Sequence, residues 1–461
     1  MIPTAASAAP ARLAGAAALI GRIERMPVSR LLLLTRLVVG SATFFDGYTT
    51  ICIAYALPLL RTQWQLHPTD IGWIIAAGYL GQLVGAVLFG WAAERVGRLP
   101  VLTGTVVLYT AMNLACGFAT GGAMLAALRF IQGIGTGGEV PVASAYVNEF
   151  IGARRRGAFF LLYEVIFAVG LMFAGLCGYF LVPLFGWRVM FWIGTAPALL
   201  LFPLRLLLPE SPRWLLARGR VAEAEAVVAR MERDVTRRGG VLPQATPVRL
   251  DAREVADSNW RDLFRGIYLR RTLMLWALWF CSYVINNALV TWLPTLYMSV
   301  FHLKLSTSLG FGWIMSVVGV LACVACALLI DRVGRRRWYI WAFALAAVPH
   351  AILAITGASS ALHVLIFAAT TYAILQTVTF SLYLYTAELY PTRLRAIGSG
   401  FGSAWLRLGS SVGPLAVGVI MTHFAIGDVF LLFALVAAFG ALICARFATE
   451  TRARVLEELS P

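Results

Sequence analysis

The sequence carries little charge. Asp, Glu, Lys and Arg make up 13% of its 461 residues, about half of the fraction that soluble domains carry, and its single lysine is Lys304. With a mean hydropathy of +0.79, this composition excludes an ordinary soluble globular protein. Apolar runs of about twenty residues recur along the chain, and each can cross a bilayer as a helix. We therefore expect a polytopic membrane protein whose surface contacts lipid.

The sequence also lacks the patterns of metal sites, disulfide frameworks and catalytic centres. Its five histidines show no ligand spacing. The seven cysteines all lie in apolar segments, where packing of a small side chain explains even the CxxC spacing of Cys323 and Cys326 better than metal or disulfide chemistry does. No nucleophile stands with a base in a catalytic arrangement. We expect no metal, no cofactor and no enzymatic activity.

The excess of positive charge does not indicate a nucleic-acid partner. The net charge is +16, but the arginines lie in short clusters between the apolar runs. Arginine-rich junctions alternate with nearly bare ones, and junctions rich in arginine stay in the cytoplasm. We therefore expect a membrane protein with both termini and the central loop in the cytoplasm.

Polar breaks between the apolar runs predict twelve membrane-spanning helices. The largest polar segment separates the sixth helix from the seventh and contains WLLARGRVAEAEAVVARMERD, an amphipathic helical pattern. The predicted helices lie near 33–59, 68–93, 99–119, 122–149, 157–184, 187–208, 271–300, 306–330, 338–356, 360–387, 397–422 and 427–447.

These helices predict an all-α membrane protein made of two six-helix halves. The halves cover 33–208 and 271–447, and the central loop 209–270 joins them. A tail at 1–32 precedes the first half, and a tail at 448–461 follows the second.

The two predicted halves repeat the same charged motifs. ERVGR at Glu94–Arg98 returns as DRVGR at Asp331–Arg335. Glu149 and Arg156 return as Glu388 and Arg395 at nearly the same offset, which indicates a duplication. Internal repeats of six helices are typical of transporters whose halves rock around a site at the middle of the membrane.

GWAAERVGRLP after the second helix resembles the signature loop of the major facilitator superfamily. Glu94 replaces the usual Asp and Leu99 the last basic residue, while the second copy keeps its acid but has Ala327 in place of a glycine. Acids and arginines at helix ends can form ion pairs that close one conformation, although each pair is weak at a surface. The alternative is that they only set topology. The candidate gating residues are Glu94, Arg95, Arg98, Asp331, Arg332, Arg335, Glu149, Arg156, Glu388 and Arg395.

Further motifs narrow the resemblance. PESPRW, ELYPTRLR and TETRARVLEEL resemble the sugar-porter branch, but the seventh helix lacks the glutamine-rich sugar-binding signature. FDGYTT, GGEVPVASAYVNEF and NNALVTWLPTLY resemble the synaptic-vesicle-glycoprotein-2-like group, which includes bacterial niacin transporters and lies close to the aromatic-acid/proton symporters. The acid, glycine and aromatic residue that these families have in the first helix are matched by Asp46, Gly47 and Tyr48.

By this resemblance, a pocket at the middle of the membrane should collect side chains from helices one, four, five, seven, ten and eleven. Arg407 stands about ten residues from each end of the eleventh helix, too far to reach either interface easily. Its planar guanidinium suits a carboxylate. We expect Arg407 to bind the anionic group of a substrate; the alternative is a fixed pair with an internal acid such as Glu164.

Three acids interrupt apolar helices: Asp46, Glu139 and Glu164. Too few cations lie nearby to neutralise all three, and burial favours the neutral form of a carboxyl group. We expect at least one of them to couple transport to protons. The alternatives are a structural hydrogen bond for Asp46 and close helix packing for Glu139, which follows the sequence GTGG.

Polar and aromatic side chains supply the rest of the candidate site. Amides and hydroxyls can bond a carboxylate or a ring nitrogen, and aromatic rings can pack on a flat substrate. Hydrogen bonds between helices and packing are the alternatives. The candidate substrate-binding residues besides Arg407 are Asn286, Asn287, Tyr163, Phe167, Gln376, Thr379, Phe380, Tyr383 and Tyr48.

With these resemblances, the sequence predicts a monomeric secondary-active transporter that imports a small aromatic monocarboxylate. Nicotinate is the favoured substrate, and protons are expected to be co-transported with it. A carrier of sugars or polyols and a carrier of organic cations are alternatives on the same fold. A sensor or binding protein that transports nothing is an alternative from another class, against which the repeated gating loops argue.

Overall fold

The computed structural model of the chain describes residues 17–27, 29–151, 156–200, 206–237, 241–244 and 260–452, with residues 156–164, 200, 392, 393 and 396 described by their backbone alone. The predicted site residues Tyr163 and Glu164 and the predicted gating residue Arg156 therefore have side chains outside the described part. No β-strand is present in the described ranges.

The described chain is built of helices. They are α1 (residues 17–24), α2 (Arg30–Trp64), α3 (Pro68–Val96), α4 (Arg98–Gly117), α5 (Gly122–Glu149), α6 (Arg156–Phe185), α7 (Arg188–Ile193), α8 (Pro212–Ala217), α9 (Val221–Thr236), α10 (Gly266–Ser299), α11 (Leu305–Val333), α12 (Arg335–Ile355), α13 (Ala361–Leu389), α14 (Thr392–His423) and α15 (Ile426–Phe447). Short 3₁₀ turns lie at Ala196–Leu200 and Trp260–Phe264.

Ten helices in the described ranges are long and apolar enough to cross a membrane. The predicted fourth helix, α5, has 28 residues and is long enough as well, but it carries Arg129, Gln132 and Glu139, which lower its apolarity. The predicted sixth helix, 187–208, is described as α7 and the 3₁₀ turn that follows it. Several helices extend beyond their predicted ends, because hydropathy marks only the stretch that lies in hydrocarbon.

Two glycines end helices on the side of the protein that carries α1 and residues 448–452, which we call the terminal face. Gly97 ends α3 with φ +122° and Gly334 ends α11 with φ +92°. A Cβ at either glycine would come within 3.0 Å of a carboxylate, that of Glu210 or Glu450. Both the backbone conformation and the close approach therefore require glycine.

The two halves pack against each other on the opposite side, which we call the distal face. There α3 lies on α14, α6 on α11, and α2 on α10. A Cβ on Gly418 would come within 3.0 Å of the Pro68 carbonyl oxygen, so backbones of opposite halves are in direct contact. The Tyr55 hydroxyl on α2 lies 3.3 Å from the Ser316 hydroxyl on α11. The structure is closed on the distal face.

The predicted amphipathic helix of the central loop is two helices, α8 and α9, because Gly219 takes a φ of +73° between them. Both pack with α1 beneath the N-terminal half, where Ile23, Trp214 and Met231 share one apolar cluster. Charges surround this cluster. Arg22 and Arg25 both bind Glu232, at 2.6 and 2.7 Å.

A candidate substrate site between the two halves

A cavity of about 120 Å³ lies between the two halves. The six helices predicted to build it all contribute, and α3 contributes as well. Its polar lining residues are Thr43, Asp46, Thr50, Tyr79, Gln82, Thr136, Tyr283, Asn286, Asn287, Tyr372, Gln376, Thr379, Tyr383 and Arg407, and its apolar ones are Ile51, Val140, Phe167, Leu171, Val290 and Leu406.

Arg407 brings a positive charge to this cavity from α14. Its side chain is 4% exposed. One terminal nitrogen donates to the Ser403 carbonyl oxygen at 2.9 Å and to the Ser403 hydroxyl, and the other donates to the Gly137 carbonyl oxygen of the opposite half at 3.3 Å. The Nε atom is buried and has no hydrogen-bond partner among the described residues. No carboxylate among the described side chains lies within 4.0 Å of the guanidinium.

Asp46 reaches the same cavity from α2 in the other half. Its side chain is buried, and its Oδ1 atom has no hydrogen-bond partner within the described structure. A buried carboxyl group without hydrogen bonds is costly to hold as an anion. Asp46 and Arg407 thus bring a carboxyl group and a guanidinium to one cavity without forming an ion pair.

Glu139 is fully buried behind this lining. The hydroxyl of Thr43, which does line the cavity, donates to one Glu139 oxygen at 3.3 Å, and the other oxygen has no partner in the described part of the chain. The glycines before it allow close helix packing, as a Cβ on Gly133 or Gly137 would come within 3.0 Å of the backbone of α3. The close helix packing expected for GTGG is thus present, and Glu139 is a buried acid as well.

The adjacent amides of α10 both line the cavity but contact different helices. Asn286 Nδ2 donates to Gln376 Oε1 on α13 at 2.7 Å. Asn287 Nδ2 donates to the Ser410 hydroxyl on α14. The two amides thus tie α10 to α13 and to α14 at the level of the cavity.

Aromatic side chains flank the polar groups. Phe167 comes from the N-terminal half, and Tyr283 and Tyr383 come from the C-terminal half. Trp279 holds the two tyrosines, because its ring lies 5.8 Å from Tyr283 in a stacked arrangement and 4.7 Å from Tyr383 edge to face. A flat ring entering the cavity would meet preformed aromatic surfaces.

Two predicted binding residues lie away from the cavity. The Tyr48 ring is fully buried, and its hydroxyl donates to the Met190 carbonyl oxygen at 2.8 Å. Phe380 packs in an apolar cluster with Cys323 and Ile330. Both lie on helices that line the cavity, but on a different face of the helix from Asp46 and Thr379.

Several residues that line the cavity were not among those predicted from the sequence. Tyr79 and Gln82 are three residues apart on α3, and Tyr283 stands one turn before Asn286, so helical spacing could have indicated them.

Arg129 on α5 was not among the predicted site residues either, although it interrupts an apolar run as Arg407 does. Arg129 is buried outside the cavity lining.

Arg129 belongs to a hydrogen-bonded network inside the N-terminal half. It donates to Gln132 Oε1 at 2.7 Å and to the Thr49 carbonyl oxygen at 3.3 Å. Gln132 donates to Asn113, which in turn donates to the Thr49 hydroxyl and to the Gly194 carbonyl oxygen. The network joins three membrane helices, α2, α4 and α5, to the turn after α7.

The charged motifs of the terminal face form one network in each half. Arg98 binds Glu94 at 2.9 Å and Glu149 at 3.0 Å. Arg335 repeats this arrangement with Asp331 at 2.6 Å and Glu388 at 2.8 Å. These ion pairs therefore lie within a half and do not join the two halves.

Two more acids complete the networks by capping helices. Glu210 accepts from the backbone N–H groups of Arg98 and Leu99, and Glu450 accepts from those of Arg335 and Arg336. Glu210 lies outside the membrane-spanning helices, and its burial raises the pKa of its carboxyl group. The sequence analysis noted the motifs that hold these acids but not this role.

The other predicted gating arginines with described side chains form no ion pair among the described residues. Arg95 and Arg332 are exposed, and the Arg95 guanidinium lies 4.1 Å from the centre of the Trp91 ring. Arg395 has a buried Nε without a partner among the described residues. The structure thus assigns the ion pairs of the two repeats to Arg98 and Arg335.

Known proteins resemble the chain over nearly its whole length. Residues 32–461 match the family described as sugar (and other) transporter. The niacin transporter NiaP of Acinetobacter baylyi is 33% identical over 96% of this chain and 99% of its own, and the 4-hydroxybenzoate transporter PcaK of the same bacterium is 27% identical over 86% of this chain and 87% of its own. The partially occluded inward-open xylose transporter XylE of E. coli superposes with a TM-score of 0.73 at 20% identity, covering 93% of this chain and 100% of XylE.

Proposed function

Since the chain belongs to the sugar (and other) transporter family, we propose that it imports a small aromatic monocarboxylate, with nicotinate as the preferred substrate. The predicted major facilitator fold and the predicted transport class are confirmed by the comparisons. The proposal concerns the solute, the coupling ion and the orientation in the membrane.

The proposal rests on the burial, charge and contacts of Arg407. Among the described residues, this buried guanidinium on the cavity wall has neither a partner for its Nε atom nor a carboxylate partner, so it is a site for an anion. A neutral sugar would leave this charge uncompensated, and an organic cation would be repelled by it. Relatives whose names specify niacin, benzoate and 4-hydroxybenzoate support the same class of solute.

The aromatic side chains of the cavity support the proposal that the substrate carries an aromatic ring. Phe167, Tyr283 and Tyr383 offer ring faces and edges within one cavity. Flat rings pack on such surfaces in stacked or edge-to-face arrangements. A small acid with one ring would place its carboxylate at Arg407 and its ring among these side chains.

Asp46 is the coupling group in this proposal. When Asp46 is protonated, its carboxyl group does not compete with a substrate anion for the positive charge of Arg407. With Asp46 ionised, the two carboxylates compete for Arg407, because a second cation does not line the cavity in the described structure. A proton and the anion therefore favour each other's binding, and import follows the proton gradient.

The orientation follows from the arginine-rich junctions. The terminal face carries Arg98, Arg335 and the helices α8 and α9, and we assign it to the cytoplasm of a bacterial cell, with the transporter in the inner membrane acting as a monomer. Closure of the distal face then makes this structure an inward-facing or occluded state.

Uptake into proteoliposomes tests the proposal. Radiolabelled nicotinate, benzoate and glucose are offered with and without an inward proton gradient. We expect saturable uptake of nicotinate, stimulation by external acid, and no uptake of glucose. Uptake of glucose without uptake of either acid would overturn the substrate class, and uptake of nicotinate that ignores the gradient would overturn the coupling.

A further inference from the structure

A pair of amide side chains on the cavity wall has unused hydrogen-bonding capacity. Asn286 and Gln376 are joined by a hydrogen bond of 2.7 Å, and both line the cavity. Asn286 is 4% exposed, and its Oδ1 atom is buried without a partner in the part of the chain that the structure describes. Buried polar atoms normally have a partner, so an orphaned amide oxygen on a cavity wall indicates a binding element.

The pair presents at least one free donor and one free acceptor whichever way its amides are turned. Each amide has an oxygen that accepts and a nitrogen that donates. With Asn286 as the donor, the Gln376 nitrogen and the Asn286 oxygen remain. With both amides turned, the Asn286 nitrogen and the Gln376 oxygen remain. The neighbouring amide of Asn287 differs, because its nitrogen is committed to Ser410 on α14.

The pair lies about one helical turn beyond Arg407, on its distal side. Ser410 is level with Asn287, to which it is bonded, and Arg407 precedes Ser410 by three residues, about 4.5 Å along the helix axis. Along α10, Tyr283 precedes Asn286 by the same three residues. The Cα atoms of Arg407 and Tyr283 thus share one level, and those of the amide pair occupy the next. The Arg407 guanidinium is bonded to Ser403, four residues earlier, so it lies further from the pair, towards the terminal face.

This spacing matches a monocyclic aromatic acid. A carboxylate at Arg407 would place the ring beside Tyr283 and Tyr383, and the far edge of the ring would meet the amide pair. A pyridine nitrogen at that edge accepts a hydrogen bond from the free amide N–H. A benzene C–H at the same place leaves that donor unpaired, and sites built to bond a polar atom reject the analogue that lacks it.

We propose that the Asn286–Gln376 pair makes the transporter selective for heteroaromatic acids with a ring acceptor over carbocyclic acids of the same shape. The inference rests on the proposed function, since it assumes that an aromatic carboxylate occupies the cavity. One hydrogen bond contributes a preference of about tenfold, so wild-type protein should bind nicotinate about tenfold more tightly than benzoate.

Competition binding on purified, lipid-reconstituted protein tests the pair. Gln376→Met and Asn286→Leu keep side-chain volume and remove the amide. Each should weaken nicotinate binding to the level of benzoate and leave benzoate binding within about twofold of wild type. Gln82→Met is the matched control, because Gln82 is an amide in the same cavity on the opposite half. It should leave the nicotinate-to-benzoate ratio unchanged.

The outcomes separate this inference from the proposed function. Equal binding of both acids by wild type, or an equal loss of both in the two variants, would overturn the selectivity role and leave the proposed substrate class standing. Loss of the ratio in Gln82→Met alone would place the donor on the other half and overturn the inference. Wild-type protein that binds neither acid would overturn both proposals.

Discussion

Asp46 and Arg407 face one cavity from opposite halves of the protein, and neither has an ion-pair partner among the described side chains. Their separation matters because the halves move relative to each other during alternating access. In the proposed mechanism, a group on each half lets the proton and the substrate anion influence the same movement, since a ligand shifts a conformational equilibrium only through its different affinity for the two states.

Replacing Arg407 should abolish substrate binding without unfolding the protein. Arg407→Ala removes the positive charge that offsets the substrate carboxylate, and we expect nicotinate affinity to fall by at least a hundredfold, about 3 kcal/mol. Arg407→Lys should restore only part of it, because an ammonium lacks the planar fork. Scintillation-proximity binding measures both, with size-exclusion profiles as the control for folding. Unchanged binding in Arg407→Ala would refute the role of this residue.

Neutralising Asp46 should separate binding from accumulation. Asp46→Asn mimics the protonated carboxyl group, so substrate binding and counterflow exchange should continue while uptake driven by a pH gradient is lost. The comparison is between radiolabelled counterflow and acid-driven uptake in the same proteoliposomes. If Asp46→Asn still concentrates nicotinate in response to external acid, Glu139 and Glu164 become the next coupling candidates.

The networks of the terminal face should be needed for movement rather than for binding. Neutralising Arg98 and Arg335 together loosens the helix ends that each network joins, so we expect transport to fall more than tenfold while nicotinate affinity changes less than about twofold. Neutralising Arg95 and Arg332 is the control, because both are exposed and make no ion pair within the described ranges. Equal transport in the two double variants would show that these charges only set topology.

A glycine pair in α3 tests how closely its helix packs on α5. A Cβ on Gly81 would come within 3.0 Å of the Phe130 carbonyl oxygen, whereas a Cβ on Gly90 would have no described atom within 4 Å. Gly81→Ala should destabilise the protein by about 1–3 kcal/mol through overpacking, and Gly90→Ala should not destabilise it. Thermal unfolding followed by fluorescence compares them. Equal melting temperatures would contradict the packing described.

The attachment of α1 should weaken in acid. Hydrogen bonds from Arg22 and Arg25 hold the pKa of Glu232 below its usual range, so this contact stabilises the folded state above about pH 4.3 and is lost as the pH falls through the lowered value. After allowance for solvent screening, it contributes about 0.5–1 kcal/mol. Glu232→Gln should lower the melting temperature at pH 7, and the difference from wild type should shrink towards pH 3. A difference in melting temperature that grows as the pH falls would contradict this pH dependence.

The sequence identified groups that are rare in apolar helices more reliably than groups that are common there. Asp46, Arg407 and the amides Asn286 and Asn287 stand out because a polar side chain is costly in hydrocarbon, and the structure places all four on the cavity. Aromatic residues carry no such signal. Tyr48 and Tyr383 look alike in sequence, and only the rotation of their helices places one in the core and the other at the cavity.

Relations between halves were also beyond the sequence. The repeated motifs predicted two similar networks, and the structure contains them around Arg98 and Arg335. The sequence could not show that each network closes within its own half, because that depends on which helix ends meet. Helical spacing places Tyr79 and Gln82 on one face of α3, but only the packing of α3 on α14 shows that this face lies beside the cavity.

Saturation binding of radiolabelled nicotinate to the purified protein tests the central claim most directly. Unlabelled benzoate, glucose and a tetraalkylammonium ion serve as competitors. The account predicts saturable nicotinate binding that benzoate displaces and that neither glucose nor the cation displaces. Absence of nicotinate and benzoate binding in a protein that binds glucose or the cation would contradict it.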